Sequence, residues 1–332
     1  MTSNRWPRAI LTTVTVGALV ALLAATWRPV AVGAQSGITK RHEHGYVQVG
    51  GKFYLLGGRN INPVDIFDPS TGTWTKGARS PVEMHHFQAV VFENRIYVVG
   101  AMTGQYPKEP PLPNVYIYDP AADAWQVGPE IPAGRRRGGA GAVLHDGEIY
   151  VVAGITNGHY DGHVAWVDAF NPRTGRWRQL PDAPRPRDHF HAGLIGGKIY
   201  AAAGRRSSAA TNQTFDLTVR EVDVFDLATS TWSTLPSTAH IPTPRAGAGA
   251  AVLNGRLIVL GGESGVQPLA HDQVEELDPA TNSWRGLKPL AMGRHATQAV
   301  LHDGRIYLAS GSRTRGATEV DTQEIYTPAP PR

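Results

Sequence analysis

Residues 114–125 read NVYIYDPAADAW, and this stretch contains the unit from which the chain is built. An apolar run reaches Asp119, a proline follows, and Trp125 comes six residues after the aspartate. The same spacing from Asp or Asn to Trp occurs five times, at tryptophans that lie 51, 52, 55 and 52 residues apart: Trp74, Trp125, Trp177, Trp232 and Trp284. A fixed period near ~50 residues predicts one supersecondary unit repeated along the chain.

A second set of regularly spaced residues predicts the two strands that precede this stretch in each unit. An aromatic residue or isoleucine follows, 13 residues later, each of six positions: Arg41, Met84, Arg137, Arg187, Arg245 and Arg294. A two-residue turn such as Asn254-Gly255 lies between them at a constant offset. Such pairs favour tight hairpins because both central residues take positive φ. One further strand precedes the Asp-Pro turn and one follows it. The chain therefore has six units of four antiparallel strands, and we name the strands of each unit A to D in chain order.

These residues resemble the kelch repeat family over about residues 41 to 327. The resemblance implies an all-β fold, a six-bladed kelch-type β-propeller with four antiparallel strands per blade. Two departures exist: the double glycine of the repeat is complete only at Gly57-Gly58 and Gly261-Gly262, and Ile258 replaces a tyrosine. The chain is also similar, at the level of the fold alone, to the bacterial N-acetylneuraminate epimerases.

The sixth unit lacks its strand D, because its tryptophan would fall just after Arg332. An open ring would leave sheet edges unpaired, and unpaired edges promote aggregation. We therefore expect the segment before Arg41 to supply the missing strand and to close the ring. Trp27 lies near the place of that strand's tryptophan.

The N-terminus resembles an export signal. Arg5 and Arg8 precede an uncharged stretch, residues 9–25, and small residues allow cleavage before Gln35 or before Thr26. An uncleaved membrane anchor is the alternative. We expect residues 1–34 to be the signal or anchor, residues 35–327 the propeller and residues 328–332 a flexible tail. The propeller would then be periplasmic or extracellular, with a membrane contact only through a retained anchor.

Composition excludes some functions. The formal net charge of +4 falls to about +1 without residues 1–34, so a nucleic-acid partner is not expected. The chain has no cysteine. This excludes the cysteine-linked tyrosine chemistry of galactose oxidase, another kelch-bladed protein.

The long connections predict where the site lies. The A–B and C–D turns are short, whereas the D–A and B–C connections at the other end of each blade are long and irregular, and function usually lies on variable loops held by a rigid scaffold. Arginines and histidines concentrate on this D–A/B–C face. The predicted ligand-binding residues are Arg59, His85, His86, Arg137, His189, Arg205, Arg245, Glu263, Arg294, His295 and Arg313.

Arginine binds carboxylate or phosphate through two parallel hydrogen bonds. The leading hypothesis is therefore a binding module with a basic, His-rich pocket for a small anionic or carbohydrate ligand, or for an acidic protein segment. The alternative is a carbohydrate-active enzyme such as a sialic-acid mutarotase or epimerase. Glu263, His189 or His86 would then provide acid–base chemistry, although the sequence assigns no catalytic residue.

Two other interpretations concern the same residues. The arginines that recur in each unit are structural if they pair with aspartates or carbonyls between blades. His189 and His191 lie on one side of a strand, as do His42 and His44, which is a geometry that Zn²⁺ or Cu²⁺ accepts. Histidines that are hydrogen-bonded within a rim are commoner, so we expect no metal and no cofactor.

Overall fold

The structure is a computed structural model, and it describes residue 1, residues 26–29 and residues 37–327. Nearly all of the predicted leader, residues 1–34, lies outside the described residues, as do the predicted tail, residues 328–332, and the side chain of Trp27. The described chain folds into six four-stranded antiparallel sheets, each in the order A–B–C–D, and this confirms the predicted six-bladed all-β propeller.

The first strand of the chain, β1 (Thr26–Pro29), belongs to the last blade. The strands of blades 1 to 3 follow in chain order: β2 (His44–Val49), β3 (Lys52–Gly57), β4 (Pro63–Asp68) and β5 (Thr73–Arg79); β6 (Val90–Phe92), β7 (Arg95–Val98), β8 (Asn114–Asp119) and β9 (Ala124–Glu130); β10 (Gly141–His145), β11 (Glu148–Val152), β14 (Val167–Asn171) and β15 (Arg176–Leu180). A two-stranded hairpin, β12 (Ile155–Asn157) with β13 (Asp161–His163), extends the B–C loop of blade 3.

Blades 4 to 6 complete the ring. Their strands are β16 (Gly193–Ile195), β17 (Lys198–Ala201), β18 (Asp223–Asp226) and β19 (Thr231–Thr234); β20 (Gly249–Leu253), β21 (Arg256–Leu260), β22 (Val274–Asp278) and β23 (Ser283–Gly286); β24 (Ala299–His302), β25 (Arg305–Ala309) and β26 (Gln323–Thr327) with β1. Three short 3-10 helices lie in connections: Ala133–Arg135, Ala209–Thr211 and Ser237–Ala239. Within the described residues, no helix is long and apolar enough to cross a membrane.

The N-terminal strand closes the ring, as the sequence predicts. β1 pairs antiparallel with β26, so that Thr26 lies opposite Thr327 and Pro29 opposite Glu324. The A strands contact one another in cyclic order, from blade 1 through blade 6 and back to blade 1. The innermost strands therefore surround a single axis.

The hydrophobic core lies between neighbouring blades. One cluster packs Tyr54 and Leu56 of blade 1 against Ile96 and Val98 of blade 2, and equivalent clusters fill the other interfaces. The repeated tryptophans tie blades together from outside: the Trp177 indole donates to the carbonyl of Glu130 in the preceding blade at 3.0 Å. Burial at these interfaces explains why the aromatic positions recur with the period of the blade.

The recurring arginines are structural, but they bind within a blade rather than between blades as predicted. Arg245 is buried, and its guanidinium donates to the carbonyls of Gly261 and Val259 and to Glu275 Oε2 at 2.5 Å. The same place on strand C carries the partner acid in the other four arginine-containing blades: Asp65, Asp168, Asp223 and Glu324.

Blade 2 replaces both members of this ion pair. Met84 occupies the arginine position, and Tyr116 occupies the position of the acid on strand C. Both are buried in the same hydrophobic cluster. Because a buried pair of charges recovers little beyond its desolvation cost, two well-packed apolar side chains are an equivalent solution.

Candidate functional site

A closed ring of backbone hydrogen bonds surrounds the axis on the D–A/B–C face. It is formed by the residue two positions after the arginine position in each blade, and each N–H donates to the carbonyl of the preceding blade over 2.6 to 3.0 Å. The six ring residues are Glu43, His86, Gly139, His189, Gly247 and Ala296. The predicted convergence of the strand A starts on one axis is therefore realised.

Every ring residue has a left-handed backbone, with φ between 53° and 61°. This conformation favours glycine, which blades 3 and 5 have, and it costs other residues about 1–2 kcal/mol each. Blades 1, 2 and 4 nevertheless place Glu43, His86 and His189 there, and all three side chains are buried. Strain of this kind is concentrated at functional sites.

The hairpin of blade 3 brings a fourth polar side chain to the axis. His159 lies at the turn between β12 and β13, and its backbone N–H donates to Glu109 Oε2 at 2.9 Å. Gly158 makes this approach possible, because a Cβ there would collide with the Glu109 carboxylate. The two irregular B–C loops of blades 2 and 3 therefore fix each other over the ring.

Four side chains, which we call the axial cluster, meet at one point: Glu43, His86, His159 and His189. One ligand-type atom from each lies within 4.8 Å of all the others. His159 Nε2 lies 3.1 Å from His189 Nε2 and 4.0 Å from Glu43 Oε1, and His86 Nε2 lies 2.8 Å from the same oxygen. The His86 contact does not have hydrogen-bond geometry, so this buried nitrogen has no hydrogen-bond partner among the described residues.

The other ring nitrogen of each histidine is held from behind. His159 Nδ1 lies 3.0 Å from Glu109 Oε2, and His189 Nδ1 lies 2.5 Å from Asp188 Oδ1. His86 Nδ1 lies 2.5 Å from His85 Nδ1. These contacts fix the orientation of three imidazoles so that each directs Nε2 towards the cluster.

Burial sets the protonation of the cluster. It lowers the pKa of His86 and of His189 well below the usual value, so these rings are neutral near pH 7 and offer a lone pair. Burial on its own would raise the pKa of Glu43, but the His86 and His42 imidazoles and the Arg59 guanidinium hold it well below its usual value.

A second buried polar group lies beside the cluster, since Arg205 Nε is 4.0 Å from Asp188 Oδ1, and we call the cluster and this group together the axial well. Arg205 donates to Glu263 Oε1 at 2.6 Å, and His295 Nε2 lies 3.5 Å from Glu263 Oε2. Although burial opposes ionisation, His295 and Arg205 lower the pKa of Glu263 to about 2. This group lies on the side of blades 4 to 6.

The structure separates the predicted residues into three groups. Those in the axial cluster or well are Arg59, His85, His86, His189, Arg205, Glu263 and His295. Arg137, Arg245 and Arg294 are bound inside their blades, so we remove them from the candidate site. Arg313 is exposed beside a groove between blades 5 and 6 that shares no lining residue with the cluster. Of the histidine pair His189 and His191, only His189 belongs to the cluster. Neither His42 nor His44 belongs to it, but Glu43 between them does.

The predicted basic pocket is not basic at its floor. Four buried carboxylates, those of Glu43, Glu109, Asp188 and Glu263, stand against two guanidiniums, those of Arg59 and Arg205. The sequence prediction counted the arginines without their acidic partners.

The space next to the cluster is small, whereas a cavity of about 320 Å³ lies further along the axis, between strand A residues such as Ala142 and Ala250. The cavity against Glu43, His86 and His189 has a volume of about 30 Å³, enough for water or a single ion. Pockets for organic ligands usually enclose roughly 300 Å³ or more. An organic ligand therefore does not fit inside this cavity next to the cluster.

Glu109 and His159 were absent from the predicted site. They lie in B–C loops whose conformation the repeat does not determine, and only the Gly158-His159 pair at the tip of a long loop hinted at them. Glu43 and Asp188 belonged to the correct face but were not selected.

Known proteins resemble the chain over most of its length. The pattern of the KLHDC2/KLHL20/DRC7 Kelch-repeats domain matches residues 88–311, and the Kelch motif matches residues 40–81. Kelch-like protein terF of Aspergillus terreus is 30% identical over 314 residues, which cover 88% of this chain and 65% of terF. Human Kelch-like protein 23 is 25% identical over 279 residues, which cover 83% of this chain and 46% of that protein.

The chain thus spans less than two thirds of either relative's own length. Among solved structures, that of YjhT superposes with a TM-score of 0.73 at 16% identity, covering 87% of this chain and 95% of the other. At that identity the likeness establishes the fold alone.

Proposed function

The chain belongs to the kelch-repeat family, and we propose that it is an exported binding module that takes a small polar ligand at its axial well. One observation carries the proposal: three of six equivalent ring positions hold Glu or His in a backbone conformation that favours glycine. The fold does not need these side chains, since blades 3 and 5 form the same ring with glycine.

The test uses the full chain and acidic sugars as the first ligand class, because Arg59 is one-fifth exposed beside the cluster and Arg205 Nη2 has no hydrogen-bond partner among the described residues. We expect the proton resonances of N-acetylneuraminate to broaden with the wild-type chain. They should narrow again with His189→Asn, whereas the exposed Arg313→Ala serves as the matched control and should behave as wild type. Absence of broadening with acidic and neutral sugars alike would remove the small-ligand proposal. Accelerated anomer exchange in the same spectra would reassign the well to a carbohydrate-active enzyme.

A protein segment is the second candidate, and the loop surface favours it. Large apolar side chains are exposed on the B–C loops of blades 1, 2 and 5: Ile61, Tyr106, Val266 and Leu269. Exposed apolar residues around a polar centre are typical of protein-binding surfaces. On an array of acidic peptides, a Val266→Asp/Leu269→Asp variant should lose signal that His86→Asn keeps. Equal signal from both variants and the wild type would argue against this candidate.

Export remains part of the proposal and is supported by the basic residues and uncharged stretch near the N-terminus. The pairing of β1 with β26 constrains how export ends, because cleavage before Gln35 would remove β1. We therefore favour cleavage before Thr26 or a retained anchor. Mass spectrometry of the mature protein should find Thr26 or an earlier residue first, and a chain beginning at Gln35 would refute this.

A further inference from the structure

We propose that Glu43, His86, His159 and His189 bind one divalent transition-metal ion at the floor of the axial well. The inference deepens the proposed function, because it names what occupies the floor of the same site. It reverses the expectation from sequence that the chain holds no metal.

The spacing of the four ligand atoms supports the proposal. Atoms placed tetrahedrally at about 2.0–2.1 Å from Zn²⁺ lie roughly 3.3–3.4 Å from one another. The separations on the axis are 2.8 Å, 3.1 Å and 4.0 Å, with every pair inside 4.8 Å. Side-chain shifts of up to roughly one ångström would therefore bring the four atoms to coordinating distances.

The groups behind the histidines have the arrangement expected at metal centres. Metal-binding histidine usually directs its other nitrogen to a carboxylate or another acceptor, which fixes the ring and strengthens the ligand. Glu109 does this for His159, and Asp188 does it for His189. Asp188 is itself anchored, since the backbone N–H of Ser207 donates to its Oδ2 at 2.9 Å and the Ser207 hydroxyl donates to its Oδ1 at 2.6 Å.

Charge and hydrogen bonding point the same way. Four buried carboxylates lie against two guanidiniums and the His42 imidazole, so negative charge is in excess and a divalent cation would offset it. His86 Nε2 is buried without a hydrogen-bond partner in the described chain, and a bound cation would satisfy it. Such a cation would also give an anionic ligand a reason to bind above an otherwise acidic floor.

The donor set selects the class of metal. Imidazole nitrogen suits Zn²⁺, Fe²⁺, Ni²⁺ and Cu²⁺, whereas Mg²⁺ and Ca²⁺ prefer oxygen ligands. Three imidazoles and one carboxylate therefore favour a first-row transition metal.

The experiment measures metal uptake by the full chain after treatment with a chelator. Zn²⁺ should bind with a stoichiometry of one and should raise the melting temperature, and Mg²⁺ at the same concentration should do neither. His86→Asn and His159→Asn should each weaken Zn²⁺ binding at least 100-fold, whereas Glu109→Gln should weaken it about 10–100-fold. His302→Asn, at a partly exposed histidine outside the well, is the matched control and should bind as wild type.

X-ray absorption of the Zn²⁺-loaded wild-type chain supplies a readout that does not depend on variants folding. We expect three imidazole nitrogens and one oxygen at about 2.0–2.1 Å. Absence of uptake, or a coordination shell made of oxygen alone, would overturn the inference. The two proposals fail separately: sugar binding by the metal-free chain would leave the proposed function standing, and Zn²⁺ binding without any sugar would leave the metal site standing.

Discussion

Two positions that lie two residues apart in every blade behave in opposite ways. The arginine position repeats in five of six blades, and each arginine meets an acid on strand C of its own blade. The ring position changes from blade to blade as Glu, His, Gly, His, Gly and Ala, although its backbone conformation and hydrogen bonding are constant.

The difference distinguishes side chains that stabilise the fold from side chains that the fold does not require. A side chain that recurs with the same partners stabilises the blade. Blade 2 shows that the stabilising contact does not have to be ionic, because Met84 and Tyr116 replace both members of the ion pair. Where the backbone is constant and the side chain changes, the fold does not depend on the identity of that side chain. What selects Glu or His there must come from outside the repeat.

The largest expected effect tests the arginine half of the comparison. Arg245→Met leaves the buried Glu275 carboxylate without its guanidinium and should lower the free energy of unfolding by about 3–5 kcal/mol. The double variant Arg245→Met/Glu275→Tyr copies blade 2 and should recover most of that loss. Urea unfolding of both variants measures the effect, and a double variant no more stable than the single one would contradict our account of blade 2.

A somewhat smaller effect tests whether blade 6 is equivalent to the others. A chain beginning at Gly37 lacks β1, loses the ladder to β26 and should be destabilised by about 2–4 kcal/mol, with increased aggregation. A chain beginning at Thr26 keeps β1 and is the control. Melting temperatures and light scattering compare the two, and identical behaviour would show that the closing strand contributes nothing.

The next effect tests the ring position by adding a side chain where the ring has glycine. Gly139→Ala and Gly247→Ala place a Cβ on a backbone with φ of 61° and should each cost about 1–2 kcal/mol. Ala296→Gly, in the same ring with φ of 55°, should instead stabilise the chain slightly. If all three substitutions shift the urea midpoint in the same direction, strain at the ring is not the relevant quantity.

The smallest expected effect on stability carries the most information on function. His86→Gly gives blade 2 the ring residue of blades 3 and 5, relieves strain and should leave the free energy of unfolding within about 1 kcal/mol of wild type. Binding of Zn²⁺ and of the ligand should nevertheless be lost. A stable variant that still binds both would show that the ring side chains have no role at the site.

Much of the fold could be predicted because it is periodic. The spacing of Trp125 from Trp74 and Trp177 predicted the length of one blade, and the missing sixth tryptophan predicted that an N-terminal strand closes the ring. Constant hairpin turns gave the inner strands and hence the face on which the strand A starts converge. Each of these features depends on local turn chemistry or on burial that recurs with the period.

The site was less predictable because its chemistry is not periodic. His159 and Glu109 reach the axis through irregular loops that determine each other's conformation, and neither position has an equivalent in another blade. The sign of the local charge depended on which acids accompany Arg59 and Arg205, which is a property of tertiary contacts. The only trace in the sequence of the left-handed backbone at Glu43 and His86 is the glycine at the equivalent positions of blades 3 and 5, Gly139 and Gly247.

The closed hydrogen-bonded ring has a consequence for how such proteins diversify. The ring hydrogen bonds occupy the N–H of all six ring residues, so none of these six N–H groups is available to contact a ligand. The chemistry of the ring therefore depends on its six side chains, to which the blade 3 hairpin adds His159. Single substitutions at these positions can therefore change the chemistry at the axis and leave the hydrogen-bonded ring intact, as Gly139 and Gly247 already illustrate.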